Sequence, residues 1–176
     1  MNISLVITLI GADRPGLVNA IAERAAAAGA NWLESSMAQL AGRFAGIVRL
    51  DIAESEAGKL EASLRGLEVE GLRLTIERGV AQAGGAGLRS LKLELLGHDR
   101  PGIVREISSV LARHGASIER METMCESASF SGEPLFRATI DAQLSASASP
   151  ADLQAALEAL ANELMVDLKL EAAAQG

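Results

Sequence analysis

The sequence predicts an α+β fold made of two tandem modules, each with the element order β-α-β-β-α-β. Three observations lead to this prediction. A segment of eight residues near the N-terminus returns 86 positions later. A stretch of small residues and glycines separates the two copies. Within each copy, apolar residues follow first the period of strands and then the period of helices.

The repeat is the clearest feature of the chain. Residues 11–18 read GADRPGLV and residues 97–104 read GHDRPGIV, so that six of the eight positions are identical. Segment 81–88 between the copies contains three glycines and predicts a flexible linker. We therefore expect two domains, residues 1–80 and 89–176, joined by that linker.

The first copy begins with a strand and a helix. Residues 3–10 are nearly all apolar or β-branched, which is typical of a central strand buried on both faces. Asp13 is a good N-cap and Pro15 is tolerated in a first turn, so a helix is predicted to start there. Gly29 is predicted to end this helix as a left-handed C-cap glycine.

The rest of the module completes a ferredoxin-like topology, an antiparallel four-stranded sheet with two helices on one face. In the second copy, Ser149 is predicted to cap the second helix and Pro150 to fit its first turn. The free sheet face and edges are compatible with pairing between modules or with a homodimer. The remaining elements predicted in the first copy are strands at 31–40 and 44–52, a helix at 55–69 and a strand at 72–76.

Composition excludes several function classes. The net charge is −7 and the basic residues are scattered, whereas nucleic-acid binders carry a basic face. No apolar run reaches the roughly 18 residues of a membrane helix. The N-terminal residues 1–5 lack a basic leader, and the single cysteine, Cys125, excludes an internal disulfide, so a cytoplasmic location is predicted. No metal or nucleophile motif occurs, so we expect no enzyme activity, no metal and no cofactor.

The repeated Asp-Arg-Pro-Gly turn is the candidate binding site. A helix N-terminus offers unpaired N–H groups and a positive dipole end, which suit a carboxylate. Gly16 and Gly102 let a ligand approach the backbone, and Asp13 and Asp99 can hold an ammonium group. From the residues alone, a purely structural strand-to-helix turn explains the motif equally well. The candidate residues at these turns are Ala12, Asp13, Arg14, Pro15, Gly16, Leu17, His98, Asp99, Arg100, Pro101, Gly102 and Ile103.

The motif resembles the ACT domain, a small-molecule regulatory module of this topology. Gly-Ala-Asp-Arg-Pro-Gly-Leu-Val at 11–18, followed by Ala-Ile-Ala and Gly-Ala-Asn, carries the resemblance. Two such modules in tandem, at about residues 1–80 and 88–171, resemble the glycine cleavage system transcriptional repressor family.

The resemblance implies an amino-acid effector, glycine or a similar one, bound between the strand–helix turn of one module and a strand of its neighbour. It also implies that a polar residue opening the second strand contacts the ligand, and Asn31 and Ser117 occupy that position. Serine replaces asparagine in the second copy, so that site differs from the first. The family is thought to act by contacting a DNA-binding transcriptional activator protein, and the acidic composition fits a protein partner better than DNA.

Three other functions deserve comparison. A tandem sensor for another amino acid or another regulatory partner fits the same features. Acylphosphatases share the topology and bind phosphate with an arginine in the same loop, but Asp13 and Asp99 would repel a phosphate there. RNA-binding modules of this topology stack bases on aromatic residues, which make up only 2% of this chain.

Overall fold

A computed structural model describes residues 1–79, 88–127 and 134–172 of the chain. The predicted linker lies outside the described residues except for Leu88. The chain divides into two compact units, Met1–Ala83 and Gly84–Gly176, which are called unit 1 and unit 2. In the described part of the chain, no helix has the length and apolar character needed to span a bilayer.

Unit 1 has the predicted order of elements and a sheet in the strand order β2-β3-β1-β4, with antiparallel neighbours. The first strand therefore lies at the centre of the sheet, as predicted. The last turns of the predicted second helix form a short 3₁₀ segment, Gly66–Glu70. The elements of unit 1 are β1 (Asn2–Ala12), α1 (Leu17–Ala27), β2 (Asn31–Leu40), β3 (Arg43–Ala53), α2 (Glu54–Arg65) and β4 (Arg73–Gly79).

Unit 2 repeats this topology in the strand order β6-β7-β5-β8, again with antiparallel neighbours. The predicted N-cap of its second helix is confirmed, because the Asp152 N–H donates to Ser149 Oγ at 3.3 Å and Pro150 is the first helical residue. Its elements are β5 (Arg89–His98), α3 (Ile103–Arg113), β6 (Ala116–Ser127), β7 (Pro134–Leu144), α4 (Pro150–Leu164) and β8 (Asp167–Ala172).

The core of unit 1 lies between one face of the sheet and the two helices. Both α1 and α2 contribute buried apolar residues to the same cluster as the sheet. The prediction that β1 is buried on both faces is wrong, because Thr8 is exposed and Ile10 is 39% exposed. The helices cover only one face, so alternate residues are buried despite the continuous apolar run. The buried residues of β1 are Leu5, Ile7, Leu9 and Gly11.

The start of α1 also differs from the prediction. The helix begins at Leu17 and its N-cap is Gly16, with φ 89° in the left-handed region, so Asp13 and Pro15 lie before the helix. No side chain caps the helix among the described residues. The predicted aspartate cap is therefore wrong, because the chain reverses at Gly16 and the N-cap lies three residues after Asp13.

The buried position of Ile7 in β1 leads to a stability prediction. Ile7 is fully buried, so Ile7→Ala should lower the free energy of unfolding of unit 1 by about 2–5 kcal/mol. Leu40, on the edge strand β2, is 78% exposed, and Leu40→Ala should change the free energy of unfolding by less than about 0.5 kcal/mol. Urea unfolding followed by circular dichroism measures both, and equal losses would contradict this account of the core.

Candidate functional site

The strand–helix turn of unit 1 is fixed by its backbone. The Asp13 N–H donates to the carbonyl oxygen of Gly42 at 3.0 Å, which ties the turn to the β2–β3 hairpin. Gly16 adopts the left-handed conformation, and Leu17 inserts into the core as the first helical residue. The turn therefore lies at the C-terminal end of the central strand β1. The hydrogen bond to the hairpin fixes its start, and the buried Leu17 side chain fixes its end.

This turn leaves the start of α1 open. The first hydrogen bond within the helix runs from the Ala20 N–H to the Gly16 carbonyl oxygen at 2.9 Å. The N–H groups of residues 17–19 consequently have no partner inside the helix. A Cβ built on Gly16 would meet no atom within 4 Å. Unpaired donors, the positive end of the helix dipole and open space together suit a small carboxylate.

The charged side chains of the unit 1 turn have different surroundings. Arg14 donates to Glu70 at 2.6 Å, and Arg24 lies 3.4 Å from the other oxygen of that carboxylate. The hydrogen bond from Arg14, with Arg24 nearby, lowers the pKa of Glu70. Asp13 is exposed, and within the described residues its side chain makes no hydrogen bond or ion pair. Arg14 is therefore paired with Glu70 of the same unit, whereas the Asp13 carboxylate is available to a cation.

The turn of unit 2 repeats the backbone but not the side chains. The Asp99 N–H donates to the Pro134 carbonyl oxygen at 3.0 Å, and Gly102 has φ 91°. Arg100, the counterpart of Arg14, forms an ion pair with Glu106 in the first turn of α3. The other carboxylate oxygen of Glu106 lies 3.7 Å from the position of a Cβ on Gly102. Arg105 lies 3.8 Å from the same position, so this turn, unlike its counterpart, has both a carboxylate and a guanidinium beside its glycine.

Asp99 also has a neighbour that Asp13 lacks. The Cys125 thiol on β6 lies within electrostatic reach of the Asp99 carboxylate. Partial desolvation raises the pKa of the Cys125 thiol, and the Asp99 carboxylate raises it further. His98, the counterpart of Ala12, is exposed at the end of β5.

Asn31 and Ser117 are not brought to the turns of their own units. Asn31 opens β2 beside the part of β3 that pairs with Ser4, eight residues along β1 from Ala12. Ser117 lies likewise beside the part of β7 that pairs with Ser90. Eight strand residues span roughly 27 Å. A small ligand therefore cannot contact both the turn and this polar residue within one unit.

Two open grooves lie on the sheets rather than at the turns. One, of about 460 Å³, is lined by β1 and β4 around Thr8, Ile10 and Arg73. The other, of about 400 Å³, is lined by β5, β7 and β8 of unit 2. Neither of these two grooves includes a residue predicted for the candidate site.

Several neighbours of the turns were not identified from the sequence. Glu70 and Cys125 are distant from the turns in the sequence and are brought near them by the fold. No local sequence motif identifies them. Glu106 had a detectable signal, because it stands where the first copy has Ala20 and is an acidic residue in the first turn of a helix.

Both halves of the chain are similar to a known protein family. Models of the ACT domain match residues 4–77 and 92–164. The glycine cleavage system transcriptional repressor of Escherichia coli (strain K12) is 28% identical over 162 residues, which cover 91% of this chain and 85% of the relative.

Two crystal structures cover nearly the whole chain. An unknown protein from Galdieria sulphuraria has a TM-score of 0.87 at 28% identity, with 99% of this chain and 100% of that chain covered. A provisionally assigned glycine cleavage system transcriptional repressor has a TM-score of 0.71 at 20% identity, with 99% of each chain covered, which shows the fold alone. With a match in each half of the sequence, the chain belongs to the ACT domain family and carries two ACT domains in tandem.

Proposed function

We propose that this chain is a non-catalytic regulatory protein that binds glycine or a similar small amino acid at a strand–helix turn. It would act in the cytoplasm on the expression of a glycine cleavage system, through a DNA-binding activator protein rather than by binding DNA. Homology to a glycine cleavage system transcriptional repressor supports the regulatory part of the proposal.

The open turn of unit 1 is the observation that carries the binding proposal. A ligand carboxylate would accept from the N–H groups that begin α1, with Gly16 leaving room for it. The ammonium group would lie near Asp13. An α-amino acid carries both charges, so it could engage both kinds of group within this one turn.

The charge of the chain supports a protein partner. At a net charge of −7, the chain as a whole is repelled by a polyphosphate. An effector bound at the turn would regulate the partner only if its affinity differed between the free and partner-bound protein.

Two other functions are alternatives to this proposal. A sensor for a different amino acid would use the same turn, and the choice depends on the space beside Gly16. An enzyme of the acylphosphatase type would need an arginine facing the phosphate, but Arg14 and Arg100 are each paired with a carboxylate. The ion pairs of these arginines therefore favour amino-acid binding over phosphate chemistry.

Calorimetric titration with glycine, then serine and alanine, tests the ligand. Saturable binding is expected, and Asp13→Asn should weaken it at least about tenfold by removing the charge that faces the ammonium group. Glu23→Gln removes an exposed carboxylate elsewhere on α1 and is the control, with unchanged affinity expected. Equal effects of the two variants, or no heat from any amino acid with a folded protein, would contradict the proposal.

A pair of glycine variants separates binding from folding at the turn. Gly16 and Gly29 both have positive φ and open space, so Gly16→Leu and Gly29→Leu should each cost about 1–2 kcal/mol of stability. Only Gly16→Leu should abolish glycine binding in unit 1, because its side chain fills the turn. Thermal unfolding and calorimetry measure the two effects. Unfolding of Gly16→Leu alone would instead favour a purely structural role for the turn.

The indirect mode of regulation has its own test. Purified protein should give no saturable shift of duplex DNA from a glycine cleavage operon, even at about 50 mM salt, where phosphate contacts are strongest. Binding that weakens steeply between about 50 and 200 mM salt would reveal a basic surface and overturn this part of the proposal.

A further inference from the structure

The sheet of unit 1 has a second face, on the side away from its helices, which is called the open face. Successive strand residues point to opposite faces, and the antiparallel pairing aligns those of the open face in rows across the four strands. Near the centre of this face Ile10 and Ile47 are 39% and 45% exposed. The first row is Ala38, Ala45, Ile10 and Arg73; the middle row is Ser36, Ile47, Thr8 and Thr75; the third row is Glu34, Arg49, Val6 and Glu77.

The corresponding face of unit 2 is charged at its centre. Val6 and Thr8 are replaced 86 positions later by Lys92 and Glu94, which form an ion pair at 3.1 Å. Lys169 on β8 lies beside Glu94 in the same row. Depletion of charged residues at the centre is typical of a protein interface. Of the two duplicated sheets, the one in unit 1 therefore has the open face suited to contact with another protein.

Two unpaired charges lie on either side of the uncharged centre in unit 1. On β4, Arg73 ends the first row and Glu77 ends the third, so their backbones are four strand residues, roughly 13 Å, apart. Both are exposed, and neither makes a hydrogen bond or an ion pair with another described residue. Each charge is therefore available to an opposite charge on a partner.

We propose that the open face of unit 1 is the interface of a homodimer, in which the faces of two copies pack with their strands antiparallel. A two-fold axis along the middle row places the first row of one copy over the third row of the other. Arg73 of each copy then faces the partner's Glu77, and the two Ile47 side chains meet near the axis. This inference does not depend on the proposed function.

The same arrangement places large side chains over small ones. In the third row Glu34 and Arg49 form an ion pair at 3.4 Å. The residues of the partner's first row that face this pair are Ala38 and Ala45, whose short side chains leave room for it. A two-fold axis parallel to the strands would instead place Glu77 over the partner's Glu34, and the like charges would oppose association. The pattern of charge and size thus favours the axis along the middle row.

The size of the open face sets the strength expected of the dimer. Four strands about 4.8 Å apart, each contributing roughly 27 Å, form a face of roughly 500 Å². Covering this face on both copies buries about 1,000 Å², which is at the lower limit for a specific interface. We therefore expect a weak dimer whose population depends on protein concentration.

Sedimentation equilibrium of the full chain between about 1 and 200 μM tests the proposal. The wild type should change from monomer to dimer over this range. Arg73→Glu creates two contacts between like charges and should raise the dissociation constant at least about tenfold. The double variant Arg73→Glu/Glu77→Arg exchanges the two charges and should restore the wild-type value. Ile47→Glu brings two carboxylates together at the axis and should abolish the dimer.

The control is Arg65→Glu, which makes the same charge change on α2, on the opposite side of the sheet, and should leave the dissociation constant unchanged. A wild type that stays monomeric throughout, or a dimer that Ile47→Glu leaves intact, would refute this interface. A double variant that remains as weak as Arg73→Glu alone would refute the antiparallel arrangement. All the changed side chains are exposed, and circular dichroism verifies that each variant is folded.

Discussion

One-sided burial of the sheets is the constraint on which the rest of the structure depends. Each unit covers a single face of a four-stranded sheet with two helices, so each helix must start beyond the end of a strand and run back over that face. The chain has to reverse within a few residues between β1 and α1. A glycine with positive φ makes this reversal, and because no described side chain caps α1, its first N–H groups have no partner within the helix or from a cap. The packing of the core thus generates the open helix start.

Most of the architecture could be predicted from the repeat and the periodicity. The order of elements follows from the strand and helix periods of the apolar residues. Because the module is duplicated, each element is predicted from two independent segments. The burial of β1 was misjudged, because an apolar run reports hydrophobicity and not the number of covered faces. The cap of α1 was also misjudged: Asp13 and Pro15 match the composition of a helix start, but the reversal at Gly16 moves that start to Leu17. Residue preferences identify a segment in which a helix starts, but they do not show at which residue its first hydrogen bond forms.

The candidate site was predicted only in part, because its chemistry depends on contacts between distant residues. The turns were recognisable as local motifs. The pairing of Arg14 with Glu70 joins residues 56 positions apart, and the proximity of Cys125 to Asp99 depends on the pairing of β6 and β5 with the same strand, β7. Asn31 illustrates the reverse case, since strand register puts it at the opposite end of the sheet from the turn of its own unit. Sequence spacing alone cannot give these relations.

Duplication explains how two nearly identical turns can acquire different surroundings. The backbone of the turn is fixed by core packing and by the glycine, so both copies must keep it to fold. In the first helical turn Leu17 and Ile103 are buried in the cores, whereas the more exposed side chains around them are free to vary. Replacing alanine by glutamate at the position of Glu106 therefore changes the electrostatics beside Gly102 without altering the reversal. One copy can then acquire different side chains around its turn while the reversal of the backbone is retained.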